Sequence, residues 1–308
     1  SCVIRRATLA LATSSRSNFG RTVLCAVGDL IEDVVVQLRD HMQPDSDTPA
    51  TIVRRRGGSA ANVAYFAAKL EGRSRFVGCV GADPLGDSLI TQLTQHGVEV
   101  RGERRGRTGS IVVLATTDGV RTMLTDRGNA TDLSSSDSTW LNDITTLHLP
   151  LYSFSHEPIS SVVHALVREA QTRGVLVSVD LSSVTLIAQL GAPAVQRLLT
   201  DVGPDILFCT NAEALAAGVN PQHRHGAHLV VVKDGANPVV AFGDGTTETH
   251  YPVHIVADVV DGTGAGDAFA AAFLTAHARK TPLADCIANA QSVAARVVTR
   301  AGATLEES

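Results

Sequence analysis

Near the C-terminal end, Asp261-Gly-Thr-Gly-Ala-Gly-Asp267 runs directly into the apolar, alanine-rich stretch Ala268-Phe-Ala-Ala-Ala-Phe-Leu274. A glycine-rich turn feeding a helix start presents main-chain N–H groups that have no intrahelical acceptor, together with the positive end of the helix dipole. Such a pair binds anions. Without Cβ atoms in the way, a ligand can approach the backbone closely. Asp267 stands beside this nest, placed to take a proton from a hydroxyl while the amides hold charge on a phosphoryl group in transfer. The plain alternative is a helix N-terminal acid favoured by the dipole, with the glycines forming a turn. A dinucleotide fingerprint fits poorly, because G-x-G-x-x-G needs glycine where Asp267 stands, and the chain has no Gly-Lys-[Ser/Thr] of a Walker A loop.

A second constellation, Arg56-Gly57-Gly58-Ser59-Ala60-Ala61-Asn62, opens another helical stretch. Its paired glycines and small residues let a ligand come close to a helix start, and Asn62 offers both a donor and an acceptor to a sugar diol. The alternative is simple packing, with Asn62 turned to solvent. Arg54-Arg55-Arg56 precedes it at the edge of the same expected cleft. Bidentate arginine suits a phosphorylated or carboxylated substrate, whereas solvated charges guarding an edge strand are the plainer reading. His223, His225 and His228 sit in a polar loop with no carboxylate or cysteine beside them, so a metal site is not expected there.

These segments must be held by a scaffold, and the apolar pattern says which. Short runs at Val23–Val27, Phe76–Val80, Thr146–Leu149, Leu176–Asp180, Ile206–Cys209 and Leu229–Val232 read as strands apolar on both faces, as in a parallel sheet covered by helices. Between the first two, Val63, Phe66, Ala67 and Leu70 share one helical face and Gly72 provides a stop. Alternating strand and helix predicts a three-layer α/β/α fold. Asp33–Leu38, Thr51–Arg55, Ser110–Thr116 and Val120–Thr125 break the alternation, and Thr117-Asp118-Gly119 is a hairpin signal. They predict a small separate sheet. The 308 residues are 44% hydrophobic and carry a formal charge of −5, which gives no basic surface for nucleic acid or anionic membrane and leaves a small-molecule partner. Five scattered cysteines argue against a disulfide framework and for a reducing cytoplasm. No stretch reaches the roughly 18 apolar residues of a membrane span.

Together the two glycine segments, with Gly81-Ala82-Asp83-x-x-Gly86 between them, resemble the PfkB family of carbohydrate kinases, from Val23 to Ala303. The resemblance implies a ribokinase-like α/β fold, a doubly wound sheet with a small β-lid, ATP and Mg²⁺ as co-substrates, and phosphorylation of a hydroxymethyl group. Residues 1–22 are then a flexible extension and 23–308 a kinase domain, with the lid drawn from about 33–56 and 98–127. By the same resemblance Asp267 is the catalytic base and the backbone of Gly264, Ala265 and Gly266 the anion hole. Asp33, Gly58 and Asn62 bind the sugar. Gly235 and Lys233 belong to the nucleotide-binding region, and Glu213 of Thr210-Asn211-Ala212-Glu213 matches the family's Asn-x-x-Glu motif linked to Mg²⁺ and phosphate, in which the Glu is retained and the Asn is replaced or shifted by one. Asp261 and Thr263 match positions that hold a monovalent cation in many members, which makes K⁺ activation an expectation. Ser59 stands where typical ribokinases have lysine, and Asp180-Leu181-Ser182-Ser183-Val184 departs from the Asp-x-Asn-x-Arg of many hexose-type members.

The expected activity is an ATP-dependent sugar kinase. A nucleoside kinase of the same family is the alternative, set back by an aromatic content of 4%, and a catalytically silent binding protein is another. Apolar alternation at Ile111, Val113 and Ala115, with Val120, Met123 and Leu124, is too rich for a hairpin left in water, and predicts a lid that closes on the core or pairs in a homodimer.

Overall fold

The computed structural model describes residues 23–116 and 121–305. The expected extension at 1–22 and the turn residues 117–119 lie outside them.

Nine strands form one large sheet, in the spatial order β13-β12-β11-β10-β9-β8-β1-β4-β5. Its parallel part is β1 (Leu24–Val27), β4 (Ser74–Val80), β5 (Val98–Arg104), β8 (Thr146–Pro150), β9 (Leu176–Asp180), β10 (Ile206–Thr210) and β11 (Leu229–Lys233). The antiparallel strands β12 (Val239–Gly243) and β13 (Thr246–Tyr251) extend one edge. Alternate residues of the same strand feed different cores. Cys25, Val27, Leu207 and Cys209 pack with α3 (Ile159–Thr172), α4 (Val184–Leu190), α5 (Ala192–Val202) and α6 (Asn211–Ala217). Leu24, Ala26, Ile206 and Phe208 pack with α1 (Ser59–Glu71), α2 (Pro84–Gln95), α7 (Ala265–Ala278) and α8 (Leu283–Val298). Period-2 side chains buried on both faces are what make these strands uniformly apolar. The result is the three-layer α/β/α fold that the pattern predicts.

A separate sheet has the order β3-β2-β6-β7, built from β2 (Ile31–Leu38), β3 (Ala50–Gly57), β6 (Thr108–Ala115) and β7 (Arg121–Gly128). Residues 98–104, expected with this sheet, belong instead to the large one, where β5 pairs along β4 from Val98 against Ser74 to Arg104 against Val80. Charged residues at alternate positions of β5 mark it as a half-exposed edge strand, which disguises its membership in an otherwise apolar sheet.

Two anchors fix where the small sheet leaves the body. Asp83 caps α2, its Oδ1 accepting from the Gly86 N–H at 2.8 Å and the Thr108 hydroxyl at 2.6 Å, while Oδ2 accepts from the Thr108 N–H at 2.7 Å. On the other side, Arg127 of β7 pairs with Asp29 just after β1.

Candidate active site

The order of the large sheet reverses between β1 and β8, and crevices at such switch points, beyond the carboxyl ends of the strands, are where open α/β sheets bind ligands. Asp29, after β1, and Tyr152, after β8, line a cavity of about 190 Å³ there. The small sheet forms its other wall. Alternation in β2 turns Ile31, Asp33 and Val35 toward the cavity, and the ladder aligns Ile111, Val113, Met123, Thr125 and Arg127 on the same face.

Helix α7 delivers Asp267 to the cavity. Gly264 caps it at φ +78°, a left-handed conformation that glycine adopts without strain, and a Cβ there would stand 2.4 Å from the Ala303 Cβ. The N–H groups of Gly264, Gly266 and Asp267 have no acceptor among the described residues. That of Ala265, expected to belong to the anion hole, donates to the Gly262 carbonyl at 3.2 Å. The turn uses it to close itself. Helix α1 meets α7 from the other side. Its cap, Gly58, has φ +96°, and a Cβ there would lie 2.2 Å from the Asp29 carbonyl oxygen.

The two helix starts converge on one carboxylate. The Ser59 hydroxyl donates to Asp267 Oδ1 at 2.7 Å and Asn62 Nδ2 to Oδ2 at 3.0 Å. Asn62 is buried, and its own oxygen accepts from Arg56 at 3.3 Å. Burial pushes the Asp267 carboxyl up to about 6, against the lowering pull of Ser59 and Asn62. Asp33 is likewise pushed up to about 6, first by burial and then by the charge of Asp267, with Arg56 opposing. A Cβ on Gly57 would stand 2.3 Å from Asp33 Oδ1, so only glycine at that position leaves the carboxylate its place.

Lys233, at the end of β11, donates to Asp180 Oδ2 at 2.6 Å. Burial alone would lower its pKa, but Asp180, Glu213 and Asp267 more than offset this and hold it above the ordinary lysine value. A Cβ on Gly266 would lie 3.3 Å from its ammonium nitrogen, which places a fixed cation beside the start of α7. Glu213 is part of a reciprocal capping box. Its side chain accepts from the Thr210 N–H at 2.7 Å, and the Thr210 hydroxyl accepts from the Glu213 N–H at 3.2 Å. Thr210 therefore takes the N-cap, and Asn211 is the first residue of α6. Burial raises the Glu213 pKa, as does Asp180. Gly235 lies in the turn between β11 and β12 at φ +58°, with open space where its Cβ would be.

Asp261 organises the glycine turn. Oδ1 accepts from the Thr263 N–H at 2.9 Å and hydroxyl at 2.7 Å, and Oδ2 from the Gly302 N–H at 2.9 Å. Among the described residues no three His, Cys, Asp or Glu side chains converge as a metal cage.

A sequence profile described as "pfkB family carbohydrate kinase" matches residues 21–308. The chain belongs to that family. As pfkB carbohydrate kinases, such enzymes are phosphotransferases with an alcohol group as acceptor. The chain is 27% identical over 266 residues to a fructokinase of Vibrio alginolyticus, covering 82% of this chain and 83% of the relative. An ATP-dependent ribose-1-phosphate kinase of Halopiger xanaduensis is 32% identical over 255 residues, 78% of this chain and 80% of the relative. Among solved structures, the adenosine kinase from Sinorhizobium meliloti superposes with a TM-score of 0.81 at 21% identity, covering 92% of this kinase and 95% of that chain. The fold is the ribokinase-like one. No described helix of the kinase is long and apolar enough to cross a membrane.

Two pairings in the kinase escaped sequence reasoning. Asp180 stands there only as the start of a segment that departs from Asp-x-Asn-x-Arg at Ser182 and Val184, whereas its carboxylate positions Lys233. The pair Asp29 and Arg127 is 98 residues apart, and only the placement of the small sheet over the switch point brings them together. For Asp180, its position at the C-terminal end of a buried strand was the available signal.

Proposed function

We propose that this kinase transfers the γ-phosphoryl group of ATP, bound as its Mg²⁺ complex, to a hydroxymethyl group of a small sugar or sugar-like polyol. The observation that carries the reading is the Asp267 carboxylate, gripped by Ser59 and Asn62 where a cavity meets the open amides of α7. The acceptor oxygen forms its bond to the γ-phosphorus as the bond to the departing ADP oxygen breaks, and the hydroxyl proton passes to Asp267. A carboxyl pushed up to about 6 is ionised near neutrality yet basic enough to take part of that proton. The amides of Gly264, Gly266 and Asp267, with Lys233, oppose the charge on the group in transfer. Asp33, Gly58 and Asn62 hold the acceptor's other hydroxyls, and Gly235, Lys233 and Glu213 border the nucleotide.

Mg²⁺ usually keeps several waters and is bound through substrate phosphates with one or two carboxylates. Glu213, with one oxygen given to its cap, is the carboxylate we assign to its water shell. Asp261 and Thr263 are the residues for a monovalent cation, tested by exchanging K⁺ for Na⁺ at constant ionic strength. The small sheet acts as a lid that excludes water, which would otherwise compete for the phosphoryl group. Its outer face carries exposed Ile52 and Leu124, and we assign that face to a second copy of the chain. Cys25, Cys79, Cys209 and Cys286 are buried and unpaired, which supports a reducing, cytoplasmic setting.

Sugars are favoured over nucleosides because the cavity's aromatic residue, Tyr152, has its ring face covered by Arg127 at 4.1 Å. A flat base would find that face of the ring already taken. The deciding measurement is ATP consumption against pentoses, ketohexoses, sugar acids, sugar phosphates and nucleosides, with the phosphorylated product identified. Sugars or their derivatives should turn over fastest, and faster turnover of a nucleoside would replace this reading.

A further inference from the structure

Three arginines line the cavity, and they are not equivalent. Arg127 is ion-paired with Asp29. Arg56 donates to Asn62 Oδ1 and to the Ala303 carbonyl at 2.9 Å, and its guanidinium lies 4.0 Å from the centre of the Tyr65 ring. Both are spoken for by the protein. Arg55 has no carboxylate within ion-pair reach among the described residues, and no hydrogen bond to one.

Its neighbour shows that this is a matter of facing. Arg54, one residue earlier on β3, turns to the outer face and pairs with Glu32 at 2.6 Å. Arg55 turns to the cavity face, directly opposite Asp33 in the β2–β3 ladder. It is also not a loose surface chain. A Cβ on Gly302 would meet Arg55 Nη1 at 2.3 Å and Cδ at 2.6 Å, so the side chain is laid against the 302 backbone and held there. A partly buried guanidinium with no carboxylate partner among the described residues favours an anion, and its planar fork matches the oxygens of phosphate or carboxylate.

We infer that the acceptor of this kinase carries an anionic substituent, phosphate or carboxylate, remote from the reacting hydroxyl, and that Arg55 reads it. The inference rests on the kinase reading above and narrows its substrate class. Asp33, at the same rung of the small sheet, binds hydroxyls near that anion. Arg55 comes from the small sheet, on the rung of Asp33, whereas Lys233 stands beside the start of α7, so Arg55 is assigned to the acceptor and not to the nucleotide.

The test uses the full chain and its Arg55→Gln and Arg55→Lys variants, with ribose, ribose 1-phosphate, fructose, fructose 6-phosphate and gluconate. Calorimetric binding without nucleotide is measured beside turnover with ATP and Mg²⁺. At least one anionic acceptor should bind and turn over tenfold or more better than its neutral parent. Arg55→Gln should erase that ratio and Arg55→Lys should restore part of it. Preference among the phosphates as against gluconate identifies which anion is read. A neutral acceptor preferred by the parent protein overturns the inference, as does an anionic preference that survives Arg55→Gln, or a variant whose KM rises for ATP instead. Absence of binding by every anionic compound overturns it as well. The binding arm keeps the two readings apart, because Arg55-dependent binding without phosphorylation sinks the kinase reading alone, and turnover confined to neutral sugars sinks the inference alone.

Discussion

The two walls of the cavity are made in opposite ways. On the body side, Ser59, Asn62 and Asp267 are short side chains on the first turns of α1 and α7, locked to one another by hydrogen bonds and flanked by helix faces that are almost wholly buried. On the other side, Arg55, Met123 and Arg127 reach in on long stems from a thin sheet, in which Ile52, Met123 and Leu124 are each more than half exposed. On the proposed roles, the base Asp267 and the acceptor contact Asn62 sit where little can shift, and the acceptor contact Arg55 sits where the structure can give.

The sharpest way to break this contrast is Asp267→Asn. It should lower kcat by at least about 100-fold, the low end of what a positioned base contributes, with nucleotide affinity nearly unchanged by calorimetry. Activity within a few-fold of the parent would move the chemistry elsewhere. Next in size, Asn62→Ala should weaken acceptor binding by about 1–3 kcal/mol through the buried partners it leaves unpaired. An unaltered KM for the best acceptor would show that Asn62 serves packing alone.

The pH dependence tests both walls together. Asp33 and Asp267 belong to different walls, yet burial pushes each from 3.8 up to about 6, and Asp33 is raised further by Asp267. Both must ionise, so kcat/KM should rise with pH through about 6, with a slope steeper than one proton on the acid limb. One unit below, about tenfold or more is lost. Stability should run the other way. The folded state keeps protons that the unfolded chain releases near 3.8, so these two groups stabilise the fold below that value, and this contribution is lost as pH rises to about 6. Thermal melts that rise across this window in the parent, but not in Asp267→Asn, would contradict the assignment. The smallest effect should come from Leu124→Ser on the outer face of the small sheet. Stability should change by no more than about 0.5 kcal/mol, while light scattering should show a smaller particle. An unchanged mass would leave that face without its assigned partner.

Much of the body was legible because its signals are local. Each apolar run bounded by polar residues became a strand, and glycine-rich segments entering apolar stretches became helix starts with open amides. What stayed hidden depends on contacts distant in sequence. The polar pattern of β5 concealed an edge position in the large sheet, and β12 and β13 are antiparallel edge additions that the alternation of strand and helix does not predict. Asp180 and Lys233, 53 residues apart, meet only because β9 and β11 flank β10 with their carboxyl ends aligned. Ala265 could not be separated from its glycine neighbours, since its use by the Gly262 carbonyl is a detail of the folded turn. In the small sheet, alternation put Ile111, Val113 and Met123 on one face as the pattern implies, but Leu124 faces the other way.

Within the small sheet, β2 and β6 run parallel, Glu32 against Ser110 through Gln37 against Ala115. No hairpin can join parallel neighbours, and the chain between them traverses β3, α1, β4, α2 and β5 before it returns. Zipping these two strands closes a long loop, whose entropic cost falls due before the contacts repay it. That loop is shortened only by folding what lies inside it, so the half of the body holding α1 and β4 must be in place first. During refolding the protein should therefore regain its buried core ahead of its ability to hold an acceptor, and the four strands cut out as a fragment would have no frame on which to register.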